Sequence, residues 1–277
     1  MVQPPPAELP PILYGTAWKE ERTQALTLQA LAAGYRGIDT ANQRKHYVEG
    51  AVGEAIAAGG VPRAELFLQT KFTYQRGQDH RLPYDPAAPL PDQVAQSFAS
   101  SCSHLGTDVI DSYVLHGPWG AVGWSAEDRS VWTAMEALHT AGRIRHLGVS
   151  NIAAAQLEEL LAAARVPPTF VQNRCYARTG WDREVRAVCA AHGLTYQGFS
   201  LLTANQRELA DPRLAAIGHR HGLDPAPTVF AFARTVGMLP LTGTSAPAHL
   251  RADLAAVAVT LAPHEVAALE AIGDPRQ

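Results

Sequence analysis

Three ionisable residues each follow a largely apolar stretch: Asp39 after "YRGI", Lys71 after "LFLQT" and His116 after "SYVL". An ionised group at the end of a buried run is costly unless it is paired or hydrogen-bonded. One such Asp reads as a helix N-cap. Three on consecutive apolar runs read instead as a convergent site, against the alternative of a structural salt-bridge cluster. Asp39 and Lys71 have the types for a buried ion pair, and His116 for orienting a carbonyl oxygen beside it. A phenol next to the lysine is expected to have its pKa lowered from about 10, which makes it a usable proton donor near neutral pH. A phenol follows Asp39 at Tyr47, in "IDTANQRKHYVEG" (Ile38 to Gly50). The competing reading makes Tyr47 an ordinary residue at a helix start, with Tyr74, His80 and Tyr84 as rival donors.

Eight short apolar runs are available to position these groups: "PILYGTA", "YRGIDT", "ELFLQTKF", "IDSYVLHG", "IRHLGVS", "FVQNR", "LTYQGFS" and "GMLPLTG". Amphipathic stretches separate them. Val48, Val52, Ala55 and Ile56 share one helical face, as do Val94, Phe98 and Leu105, and Leu157, Leu160, Leu161 and Ala164. Gly106, Gly142 and Gly193 stand where helices commonly stop. Strands alternating with helices, without a linker-like break, predict an α/β fold: one (β/α)8 TIM barrel, a single domain over residues 1–277. The alternative is an open doubly wound sheet, but "YGTAWKEER" lacks the glycine-rich dinucleotide fingerprint. Barrel active sites form at the C-terminal ends of the strands, where Asp39, Lys71 and His116 fall. The long stretch "TYQRGQDHRLPYDPAAPLPDQ" is rich in proline and is expected to be an irregular, functional loop.

The 277 residues are 47% hydrophobic and 18% charged, ordinary for a globular chain. A net charge of −3 argues against nucleic acid and acidic membranes as partners. Cys102, Cys175 and Cys189 lack metal-type spacing and read as free thiols in a reducing compartment. "MVQPPPAELPP" has no apolar signal core, and no run is long enough for a membrane span. The expectation is a soluble, cytoplasmic protein without a metal site.

The ordered set "GYRGIDTA" with "AVGEAI", "LQTKF", "LGTDVIDSYVLHGP", "GRIRHLGVSN" and "VQNR" resembles the aldo-keto reductases, from "YGTAWK" to "GTSAPAHLRADL". The resemblance implies a TIM barrel that reduces aldehydes or ketones with NADPH, and a tetrad of Asp39, Tyr47, Lys71 and His116. The family's usual spacing puts the tyrosine at Arg44. Here Tyr47 and Val52-Gly53 are displaced, as an insertion near "NQRKH" would produce, with Tyr47 curling back to the site.

The resemblance also implies a cofactor shelf. Ser150, Asn151 and Gln172 hold the nicotinamide carboxamide, Phe199 stacks under the ring, Ser200 and Leu202 continue the shelf, and Thr16 lines the ribose side. Thr244, Ser245 and His249 take the adenosine 2′-phosphate, and Asp253 lies by the adenine. The family pattern has a lysine near Gly243 and an arginine near His249, both lacking here. The preference for NADPH over NADH should therefore be weakened, and NADH is possible. A bulky, partly apolar carbonyl substrate is expected in a pocket walled by the long third loop, Trp18, Trp119 and Trp124. A final helix, "APHEVAALEAIG", should pack on the barrel, leaving the pocket open on that side. Two further readings stay open: an NADP(H)-binding regulatory or sensor subunit, and a biosynthetic reductase acting on an imine or unusual ring carbonyl. The sequence leaves the oligomeric state undetermined.

Overall fold

The computed structural model describes residues 9–273. The first eight residues of the proline-rich start, about which the sequence expectation concerned a signal core, lie outside the described residues. Eight parallel strands close into a barrel in chain order: β1 (Leu13–Gly15), β2 (Gly37–Asp39), β3 (Phe67–Phe72), β4 (Ile110–Leu115), β5 (Ile144–Ser150), β6 (Phe170–Arg174), β7 (Thr195–Phe199) and β8 (Leu239–Thr242). Closure comes from β1 against β8, with Leu13 opposite Leu241 and Tyr14 opposite Thr242. Helices cover the outside: α1 (Thr23–Ala32), α2 (Glu49–Gly59), α3 (Leu90–Leu105), α4 (Ala126–Thr140), α5 (Ala154–Ala163), α6 (Arg183–His192), α7 (Pro212–Arg220), α8 (Pro225–Thr235), α9 (Pro247–Ala256) and α10 (Pro263–Glu270). Strands covered on both faces need near-continuous apolar runs, and every residue of β3 and β4 is buried.

All eight predicted strands form. Between β7 and β8, however, two helices stand where one was expected. Gly222 turns the chain at φ 68°, and Asp224-Pro225 starts α8 afresh. The final helix α10 packs on α7 and α8. Trp181, just before α6, donates its Nε1–H to Leu269 O at 2.9 Å. Val48 differs from its expected place: it caps α2 and is exposed, so the buried apolar face begins at Val52. Gly53 has a steric reason. A Cβ there would lie 1.8 Å from His104 O, so α2 and α3 approach closely only over a glycine. Among the described residues no helix is long and apolar enough to cross a membrane. The three cysteines are free and buried.

Candidate active site

The barrel interior carries a polar layer where branched apolar residues usually dominate. Asp39, the last residue of β2, accepts three hydrogen bonds at one carboxylate oxygen, from Lys71 Nζ at 2.6 Å, Gln69 Nε2 at 2.7 Å and Gln172 Nε2 at 3.0 Å. Gln69 and Gln172 also donate to Gln197 Oε1 at 2.8 and 3.0 Å. Gln197 returns a bond to Gln69 Oε1 at 3.0 Å. These links across β2, β3, β6 and β7 hold the carboxylate in one orientation. Lys71 is 1% exposed and donates also to Thr40 O at 2.8 Å. Burial pulls its pKa down, and Asp39 opposes that fall.

The displaced tyrosine does reach this place. His46 N and Tyr47 N both donate to Gln43 O, at 3.2 and 3.1 Å, in a turn that takes up the extra residues after β2. The Tyr47 ring centroid is 5.5 Å from Lys71 Nζ and 6.1 Å from the His116 ring. Its hydroxyl makes no hydrogen bond to Lys71 or to any other described residue. The expected lowering of its pKa is not found: burial pushes the phenol up, and the Asp39 charge adds to the rise. Lys71 is paired with Asp39 at 2.6 Å, and in the resting site its charge does not overcome the effect of burial on the phenol.

His116, one residue beyond β4, has its pKa pushed down to about 3 by burial, with Lys71 and His46 adding. It is neutral, so one ring nitrogen carries a proton. Thr73 Oγ1 lies 2.7 Å from His116 Nδ1. Among the described residues the Thr73 hydroxyl makes no other hydrogen bond. If that hydroxyl donates to Nδ1, both groups are satisfied, and Nε2 is left as the protonated nitrogen. The rival donors are engaged elsewhere. Tyr74 OH donates to Asp128 at 3.0 Å and Tyr84 OH to Thr73 O at 2.8 Å, and neither they nor His80 line the cavity.

A cavity of about 1000 Å³ opens over this layer. Asp39, Tyr47, His116, Ser150, Asn151, Gln172, Phe199, Ser200, Leu202, Thr244, Ser245 and Trp18 all line it. Asn151 and Ser200 take left-handed φ of 53° and 56°, unusual for residues with a Cβ and a mark of functional sites. Asn151 Nδ2 donates to His116 O at 2.7 Å, linking the ends of β4 and β5. The Gln172 amide nitrogen is held by Asp39 and Gln197, which leaves its oxygen as the available group. The Arg174 guanidinium lies 5.6 Å from the Phe199 ring.

Six expected site residues lie apart from the cavity lining. Lys71 sits beneath it. Thr16 is fully buried and donates to Asp39 O at 3.0 Å, so it braces β2. Asp253 is turned inward to accept from Thr242 Oγ1 at 2.8 Å, and His249 is exposed on α9. Trp119 packs on Tyr74, with centroids 5.0 Å apart, and Trp124 is buried against Trp132. The long third loop, which contains a short 3-10 turn at 75–77, also differs from its expected role as a wall. It braces the loop after β2, through Gln43 to Gly77 O at 2.7 Å, Gln78 to Asn42 O at 2.8 Å and Arg81 to Arg44 O at 2.6 Å. Trp18 alone of those tryptophans faces the cavity, 69% exposed and stacked on His46 with centroids 3.8 Å apart.

Residues that the sequence reading did not single out also line the cavity: Lys19, Arg22, His46 and Arg174. Lys19 was legible only as part of "YGTAWK"; its position follows from β1 closing on β8.

The model of the aldo/keto reductase family matches residues 12–274. The chain belongs to the aldo/keto reductase family. An aldo-keto reductase of Mycolicibacterium vanbaalenii is 30% identical over 252 residues, covering 89% of this chain and 82% of that protein. Morphine 6-dehydrogenase of Pseudomonas putida is 31% identical over 222 residues, covering 76% and 69%. The crystal structure of an aldo/keto reductase from Brucella melitensis superposes with a TM-score of 0.81 at 26% identity, covering 95% of this chain and 94% of that one. This aldo/keto reductase is an oxidoreductase, of a family that acts on small-molecule carbonyl compounds and generally uses NAD(P)H. Its cavity suits such a cofactor: an amide oxygen at Gln172, an aromatic face at Phe199 and the cation Lys19 bordering one space.

Proposed function

We propose that this protein reduces an aldehyde or ketone to the alcohol, with NADPH as the preferred cofactor, NADH as a weaker one, and Tyr47 as the proton donor. The observation that supports this best is that Tyr47, His116 and Asp39, far apart in sequence, border one cavity directly above the Lys71 ammonium.

The bound cofactor supplies a hydride to the carbonyl carbon. Ser150, Asn151 and Gln172 would hold its carboxamide, Phe199 would back the ring, and Ser200, Leu202, Thr244 and Ser245 would hold the rest of the dinucleotide. His116 donates from Nε2 to the carbonyl oxygen and orients it. Tyr47 remains a neutral phenol because its pKa is raised, so its proton is available to the oxygen as negative charge develops there. Lys71, fixed by Asp39, presents a positive charge below the phenol and favours the phenolate left after transfer. Trp18, stacked on His46, forms an apolar wall for the substrate. Three unpaired, buried thiols suit a reducing cytoplasm.

Fluorescence titration with NADPH and NADH, followed by NADPH oxidation against a panel of aldehydes and ketones, tests this reading. Saturable binding with carbonyl-dependent oxidation is expected. Tight binding without turnover on any carbonyl would instead favour a cofactor-sensing subunit, for which the unbonded Tyr47 hydroxyl is the one structural argument.

A further inference from the structure

We propose that the adenosine 2′-phosphate is gripped from the loop after β1, by Lys19 with Arg22. This replaces a grip by cations on the loop after β8, and it rests on the NADPH reading above.

The loop after β8 offers no cation at its start: Gly243, Thr244 and Ser245 border the cavity there. Lys19 Nζ reaches this position from across the β1–β8 closure and donates to Gly243 O at 2.8 Å. A Cβ on Gly243 would lie 3.9 Å from Lys19 Nζ. The ammonium therefore borders the space that a side chain at 243 would enter. Tyr14 fixes the arrangement from below. Its ring centroid is 4.9 Å from Lys19 Nζ, and its hydroxyl donates to Thr244 O at 3.2 Å.

Lys19 is only 6% exposed, yet among the described residues no carboxylate pairs with it. Arg22 stands near enough to add to the burial that holds the Lys19 pKa down, at about 8, and it too has no ion-pair partner among the described residues. Two neighbouring cations on a cavity wall, with no counter-ion among the described residues, favour an anionic ligand. The backbone independently favours this orientation. Trp18 and Glu20, on either side of Lys19, take left-handed φ of 61° and 49°. Side chains with a Cβ adopt that region reluctantly, and here the loop does so twice while Lys19 points inward.

The test is cofactor affinity, read by fluorescence titration of purified protein with NADPH and NADH, which share the pyrophosphate and differ in the 2′-phosphate. Wild type is expected to bind NADPH more tightly. Lys19→Met should weaken NADPH by about 10- to 100-fold, the range of a lost charge-assisted contact, and NADH by less than about threefold. Arg22→Gln, an exposed change, should weaken NADPH selectively by a smaller factor, and it carries the test if Lys19→Met fails to fold. Adding Gly243→Lys to Lys19→Met should restore the NADPH preference, because the new side chain enters the vacated space. Equal losses for both cofactors would assign Lys19 to the pyrophosphate and overturn the proposal. So would unchanged NADPH binding in Lys19→Met. Wild type binding both cofactors equally would overturn this inference and leave the dinucleotide reading intact; wild type binding neither would overturn both.

Discussion

A phenol buried beside an ion pair keeps its proton, and this shapes how Tyr47 and His116 respond to pH. Burial raises the Tyr47 pKa and lowers that of His116 to about 3. The phenol loses its proton only above its raised pKa, and the imidazole gains a charge only below its lowered one. The rate of carbonyl reduction at saturating substrate and cofactor should therefore be flat between about pH 5 and about pH 9. A stopped-flow pH profile with a limb near neutrality would contradict this. Thr73 gives a second prediction at the same scale. Its methyl lies against Gly77, where a Cβ would come within 2.7 Å, and its hydroxyl meets His116 Nδ1. Thr73→Val should lower kcat by about 10-fold or more by freeing the wrong imidazole tautomer, while Thr73→Ser keeps the hydroxyl and most of the rate. Nitrogen NMR of the His116 ring should show the tautomer change in Thr73→Val alone. At this scale the sequence revealed Asp39, Lys71 and His116 because each ends an apolar run. It was silent on Thr73, whose role depends on a rotamer.

Elements were legible to different degrees for a physical reason. Parallel strands buried on both faces leave continuous apolar runs, and all eight could be read directly. A loop's task depends on what it leans against. The proline-rich loop after β3 looked like a pocket wall and is a brace for the turn that carries Tyr47, through Gln43, Gln78 and Arg81. "AVGEAI" was legible as a motif, but its cause is the contact between α2 and α3. Gly53→Ala would bring a methyl to 1.8 Å from His104 O and force the helices apart. It should cost about 1–3 kcal/mol, or more if α2 cannot shift, read as a lower midpoint in urea unfolding. An unchanged midpoint would mean that this crossing is looser than described. Because α2 begins two residues after Tyr47, the same variant should also impair turnover.

At the scale of the whole molecule, closure of β1 on β8 joins distant parts of the chain, which explains why Lys19 was hard to place from sequence. Asp253 was expected beside the adenine, but it is 3% exposed and bonded to Thr242. Burial raises its pKa from 3.8 to about 6, against the opposing pull of Thr242 and His249. A carboxyl whose folded pKa lies above its unfolded value favours the fold at low pH and loses that contribution as pH rises through the folded pKa. Asp253 should thus cost stability between about pH 4 and pH 6, by up to about 3 kcal/mol at neutral pH. Asp253→Asn keeps an acceptor for Thr242 and removes the charge. It should raise Tm at pH 7.5 and leave it little changed at pH 4; a gain confined to acid would reverse the sign and contradict the assignment.

The most direct test of the central claim, that the displaced Tyr47 is the proton donor of this barrel, is single-turnover carbonyl reduction by Tyr47→Phe with bound NADPH. If Tyr47 delivers the proton, the reduction step slows by about 10²- to 10⁴-fold, with NADPH affinity unchanged. Reduction at close to the wild-type rate would show that another group delivers the proton.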